Sequence, residues 1–128
     1  MYKMIRDLLF VGVGSCLGGM SRYLISLLVR PVSGEFPWGT FIVNVLGSLA
    51  IGLLWGWISR NPHAPSWINT FLIVGFCGGF TTFSTLNKDC LSLIMNGQSL
   101  AFYLYVFGSF ILGFLSLLLG WCVFNGKS

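Results

Sequence analysis

The sequence predicts an all-α membrane protein with four transmembrane helices and a break in the third. Three observations predict it. Apolar residues make up 55% of the 128-residue chain and charged residues only 8%, against about 25% charged in a typical soluble domain. Too few charges are left to cover a water-facing surface, and a mean hydropathy of +0.86 agrees. The apolar residues fall into four runs, each near the roughly 20 residues that carry a helix across the hydrocarbon core. Within the third run glycines and hydroxyl residues crowd together, where a continuous helix is weakened.

The first span runs from Leu8 to Val29 and carries one charge, Arg22. The stretch MYKMIRD before it resembles the charged start of a signal peptide. The run continues through SRYLISLLV and three more spans follow, so a retained helix is the better reading, with no soluble domain on either side. Arg30-Pro31 and VSGEFP end it in a short loop. The second span, 36–59, is free of charge and stops at the loop RNPHAP, where His63 is expected in solvent. The third covers 66–95: it is uncharged to Asn87, is interrupted by Lys88 and Asp89, and resumes in LSLIM before the turn NGQS. The fourth is 100–124. Residues 1–128 thus form one domain. Trp38, Trp57, Trp67 and Trp121 stand near the span ends, as in an aromatic belt at the two membrane surfaces.

The net charge of +4 does not point to nucleic acid. Lys3, Arg6, Arg22, Arg30, Arg60, Lys88 and Lys127 are scattered, as expected of residues at helix and loop ends facing lipid headgroups. Lys3, Arg6, Arg60 and Lys127 fall on one side, and Arg30 and Lys88 on the other, a bias too small to fix one orientation. Cys16, Cys77, Cys90 and Cys122 lack metal-ligand spacing, and Cys16, Cys77 and Cys122, in strongly apolar runs, are expected as buried small hydrophobes.

Gly14 and Gly18 on one helix, and Ser48, Gly52 and Gly56 on another, repeat every four residues and predict close helix packing. Gly75, Gly78 and Gly79, followed by Thr81, Thr82, Ser84 and Thr85, are a different pattern. Non-helical backbone at membrane depth must be buried in protein or line a cavity. A broken helix there exposes carbonyls and amides that hold ions; a kinked but intact helix is the alternative. Arg22 either pairs or snorkels to the interface. Asn44 either glues helices or serves a path, with Thr40 one turn away on its face. Tyr105 and Ser109 repeat that spacing in the fourth span, giving a track of hydrogen-bonding groups. The acids Asp7, Glu35 and Asp89 lie outside the middle of the clean spans, and no paired carboxylates or nucleophile arrangement suggest an enzyme.

Three motifs, GVGSCLGGMSRY at 12–23, WGTFIVNVLGS at 38–48 and GFCGGFTTFST at 75–85, together resemble the bacterial CrcB/Fluc fluoride channels along nearly the whole chain. The resemblance implies a passive fluoride-selective channel in the bacterial inner membrane that exports fluoride and so reduces its toxicity. It implies an antiparallel, dual-topology homodimer in the lipid bilayer with two pores. It also implies a structural sodium ion, held by backbone carbonyls that fall on Gly78 and Thr81. The pore asparagine falls on Asn44, the membrane arginine on Arg22, the polar track on Thr40, Tyr105 and Ser109, and the first pathway phenylalanine on Phe83, beside Thr82. Two positions depart from the family: Leu86 replaces the second phenylalanine and Gly113 a later hydroxyl. The competing classes are a small multidrug-type transporter, which would be expected to use a buried carboxylate, and a non-conducting structural membrane assembly protein.

Overall fold

The computed structural model describes residues 1–30 and 36–126. The loop residues 31–35, which include Pro31 and Glu35, and Lys127 lie outside the described residues. All regular structure among the described residues is helical. Four stretches are long and apolar enough to cross a membrane: Tyr2–Val29, Trp38–Arg60, Ser66–Met95 and Ser99–Asn125. They are named here α1 (Tyr2–Val29), α2 (Trp38–Arg60), α3 (66–80), α4 (Phe83–Met95) and α5 (Ser99–Asn125). α3 and α4 together make the third stretch.

α1 begins at Tyr2 rather than Leu8. Its polar first turns stay helical because Lys3 and Arg6 are exposed, and Arg6 reaches Asp7 at 3.3 Å. α2 starts at Trp38, just after Pro37, which has no N–H to lose at a helix entry. Phe36, before that cap, packs edge-on against Phe41 one turn inside the helix, and against Tyr105 of α5. α4 runs straight through Lys88 and Asp89, so the charges do not end the helix. The turn that follows contains Gly97 at φ 72°, a left-handed conformation natural to glycine.

Two helix pairs approach through small residues, Gly14, Gly18 and Gly52 from the expected pattern and Gly120 outside it. A Cβ on Gly14 of α1 would strike the Phe71 carbonyl of α3, and one on Gly18 the Phe76 carbonyl. Between α2 and α5, a Cβ on Gly52 would strike the Leu117 carbonyl, and one on Gly120 would lie 2.6 Å from the Leu49 carbonyl oxygen. Backbone contact of this kind replaces the hydrophobic effect, which lipid does not supply between helices. Asn125 closes the end of that pair by donating to the carbonyls of Gly56 and Trp121.

The cysteine expectation needs correction. Cys77 and Cys90 are buried, but Cys16 and Cys122 are exposed, and all four are free. In a membrane an apolar run has no obligation to face inward, because lipid receives a thiol as readily as the core does.

Candidate functional site

The third stretch departs from a regular helix twice. Residues Asn69–Cys77 form a π-helix, and Gly78–Phe80 return to α geometry. π turns are uncommon and frequently mark functional positions. Thr81 (φ −81°, ψ 156°) and Thr82 (φ −151°, ψ 123°) are then extended before α4 begins. Side chains take over the hydrogen bonds that a helix would make here. The Thr82 N–H donates to Asn44 Oδ1 at 2.8 Å, and Asn44 Nδ2 donates to the Thr82 carbonyl at 3.1 Å. One side-chain amide thus serves both backbone polar groups of Thr82, and swapping its oxygen and nitrogen would lose both bonds. The Thr85 N–H donates to Thr82 Oγ1 at 3.3 Å, capping α4.

These diversions release two carbonyls. In an unbroken helix the Gly78 oxygen would accept from Thr82 N–H, and the Thr81 oxygen from Thr85 N–H. Both donors are engaged elsewhere. Thr81 itself turns back, its N–H and its Oγ1 both donating to the Cys77 carbonyl at 2.9 Å. On the other side, Arg22 Nε of α1 donates to the Gly79 carbonyl at 3.2 Å. The intramembrane arginine is paired with backbone at the same irregular segment, which offsets its cost at that depth.

A cavity of about 240 Å³ opens beside the break. It is lined by Thr81, Thr82, Phe83 and Leu86 from the broken stretch, by Asn44, Ser48 and Ile51 of α2, and by Ser109 and Phe110 of α5. Ser109 is 8% exposed, and its Oγ has no hydrogen-bond partner among the described residues. A buried hydroxyl left unpaired costs about 1–3 kcal/mol, so something polar belongs there. Leu86 is 6% exposed and packs with Cys90, Leu93 and Tyr105, so it forms wall rather than lining that reaches into the space. Ser48 donates to the Asn44 carbonyl and stands 3.6 Å from where Gly113 would carry a side chain.

Thr40 does not share this cavity. It lines a second one, of about 360 Å³, with Arg30, Thr85, Lys88 and Asp89. Tyr105, fully buried and one turn from Ser109 on α5, directs its hydroxyl away from the first cavity and donates to Asp89 Oδ2 at 3.1 Å. Lys88 reaches the other carboxylate oxygen at 3.6 Å. The polar track is therefore split between a neutral cavity and a charged one, with Tyr105 between them. Gly78 lines neither and offers only backbone.

The family model for CrcB-like proteins, described as camphor resistance (CrcB), matches residues 9–121. This chain belongs to the CrcB-like family. Its relatives include proteins named fluoride-specific ion channel FluC. The one from Bacteroides fragilis is 42% identical over 120 residues, covering 91% of this chain and 94% of its own. That from Chlorobium chlorochromatii is 45% identical over 114 residues, 88% of each chain. That from Nitratidesulfovibrio vulgaris is 43% identical over 117 residues, covering 91% and 94%.

Three residues that line the two cavities carried no site signal in the sequence. Asp89 reads in the sequence as an interruption of the third span, and only the packing of α4 on α5 brings it to Tyr105. Phe110 and Ser48 carried no signal of their own. Phe110 sits in an apolar run, and Ser48 read as a small packing residue.

Proposed function

We propose that this chain is a passive, fluoride-selective channel that carries fluoride out of the cytoplasm across the bacterial inner membrane. The relatives' names support the substrate. The observation that carries the path is the cavity beside the break, with the unpartnered Ser109 hydroxyl in its wall.

Fluoride is small and strongly hydrated, so it moves only where donors replace its water. Ser109 offers a hydroxyl. Asn44 has a second amide hydrogen beyond the one given to Thr82. The first N–H groups of α4 begin at the cavity, and a helix start favours an anion. The ring edge of Phe83 is electropositive and stands 68% exposed at the same cavity. Thr82, Asn44, Phe83 and Ser109 form the inner path. Thr40, with Arg30 and Lys88, forms its entrance, and Tyr105 stands between the two, while Leu86 is wall.

The functional unit is an antiparallel homodimer whose subunits insert in opposite orientations, and the small difference in Lys and Arg between the two sides allows this. The residues at the break fit a central sodium ion: the Gly78 and Thr81 carbonyls have lost their helical donors, and released carbonyls are what sodium takes at membrane depth. Two carbonyls from each of two copies would hold it. When bound, the ion supplies positive charge that lowers the cost of a nearby anion. Asp89, the carboxylate that a proton-coupled transporter would need, is engaged by Tyr105 and Lys88, which favours the channel.

The test is efflux from liposomes containing purified protein, with fluoride compared against chloride. Fluoride should leave rapidly and chloride should stay. Equal loss of both, or loss of neither from intact oligomers, would overturn the proposal. Labelling of a terminal cysteine tag from one membrane side only would overturn the dual insertion.

A further inference from the structure

Position 86 holds leucine, and its side chain is spent on the core with Cys90, Leu93 and Tyr105. It therefore presents no polarised edge to the cavity beside the break. A second ring does line that cavity, and it comes from another helix. Phe110 follows Ser109 on α5 and is 60% exposed. Most aromatic rings of this bundle are engaged with one another: Phe36 with Phe41 and Tyr105, Phe76 with Phe80, Tyr103 with Phe107. Neither Phe83 nor Phe110 packs on another ring among the described residues. Each leaves its edge available, and each stands at a cavity wall with a donor to spare: Phe83 across from the second amide hydrogen of Asn44, Phe110 next to the unpartnered Ser109 hydroxyl.

We propose that Phe110 is a specificity-determining residue of the fluoride path, supplying from α5 the second aromatic edge that leucine at 86 does not. The inference rests on the channel reading above. A benzene ring is negative on its face and positive at its edge, so two edges from different helices can meet one anion from two sides. An aliphatic side chain has no such polarity. The ring also keeps water away while the hydroxyl and amide hold the ion. A path built this way holds a small desolvated anion between α4 and α5 rather than along α4 alone.

The experiment is electrode-monitored fluoride efflux from liposomes holding the parent, Phe110→Leu, Phe110→Met, and Phe110→Leu combined with Leu86→Phe. Elution and helical circular dichroism of each purified variant establish assembly. Leucine and methionine keep the helix and the apolar volume, so two independent variants guard against a folding defect. Fluoride efflux is expected to fall about fivefold in each single variant, the scale of losing one aromatic contact. The added Leu86→Phe should recover most of that loss, because position 86 is part of the wall of the same cavity and the longer ring brings an edge to it; a purely structural role for Phe110 would not be relieved by a change on α4. Parental flux in an assembled Phe110→Leu or Phe110→Met would overturn the inference while leaving the channel reading intact. So would an assembled double variant that recovers nothing. A parent that passes no fluoride would overturn the channel reading, and this inference with it.

Discussion

The pairing of α2 with α5 and the join between α3 and α4 solve the same problem in opposite ways. Every backbone polar group at membrane depth needs a partner. α2 and α5 satisfy theirs internally, so they need only surfaces smooth enough to touch, which Gly52 and Gly120 provide. The α3–α4 join gives up helical bonds, and Asn44, Thr82 and Arg22 take them over. What is left after that exchange is capacity: two carbonyls without their helical donors, and, beside the cavity, a spare amide hydrogen and a helix start. The difference teaches that this bundle places its chemistry where its backbone is least regular. Damage to the first region should be steric and global. Damage to the second should be chemical and local.

The largest expected effect tests the steric half. Gly120→Val places a branched side chain against the Leu49 carbonyl, 2.6 Å from even the first added carbon. Overpacking a close interface costs about 1–3 kcal/mol, and rigid backbone cannot yield as a side chain can. The variant should give little monodisperse protein in detergent, and what survives should melt well below the parent. Normal yield and melting would show that the α2–α5 contact is loose, and the contrast would collapse.

Asn44→Asp comes next and separates structure from charge. The aspartate keeps the acceptor for Thr82 N–H but loses the donor to the Thr82 carbonyl. It also sets a negative charge on the cavity wall. Two unit charges about 4 Å apart repel by about 4 kcal/mol at an effective dielectric near 20, far more than a tenfold loss requires. Fluoride efflux should fall by well over an order of magnitude, while helical content persists. An assembled Asn44→Asp that conducts like the parent would remove Asn44 from the path and leave it as a staple for the join.

The four spans were legible because length and composition alone demand them. The segment where Thr81 and Thr82 are extended also carries a sequence signal, because Gly75, Gly78 and Gly79 precede a row of hydroxyls in an otherwise apolar run. Asn44 and Arg22 announced that they needed partners, but not which ones. Thr82 and Gly79 lie 38 and 57 residues away in the chain, and only the packed bundle brings them near. The π-helix of 69–77 left no trace, since residue propensities do not separate it from an α-helix. Phe110 was hidden for a different reason. In a membrane span, a phenylalanine facing lipid and one facing a cavity look the same in sequence.

A smaller effect belongs to the charged cavity. Asp89→Asn keeps an oxygen to accept from Tyr105 and removes one negative charge from the entrance, leaving Lys88 without its counter-ion. The group lies in the wider cavity, where water and salt screen it. Fluoride efflux should rise by about two- to threefold, most clearly at low ionic strength. A loss of flux instead would mean that the carboxylate's grip on Tyr105 matters more than its charge.

Thr81→Ala should do least, and that makes it informative. Its side chain only back-bonds to the Cys77 carbonyl one turn earlier, a contact that slightly loosens a helix rather than building one. The role proposed for Thr81 lies in its carbonyl, which alanine retains. Efflux should stay within about twofold of the parent, with unchanged dependence on sodium. Thr82→Ala, one residue on, removes the oxygen that caps α4, at a cost of about 1 kcal/mol, and should be the more damaging of the two. The pair therefore separates backbone from side chain within a single extended dipeptide. If Thr81→Ala loses sodium dependence while Thr82→Ala is silent, the ion is held by hydroxyls, and the released carbonyls at Gly78 and Thr81 have some other use.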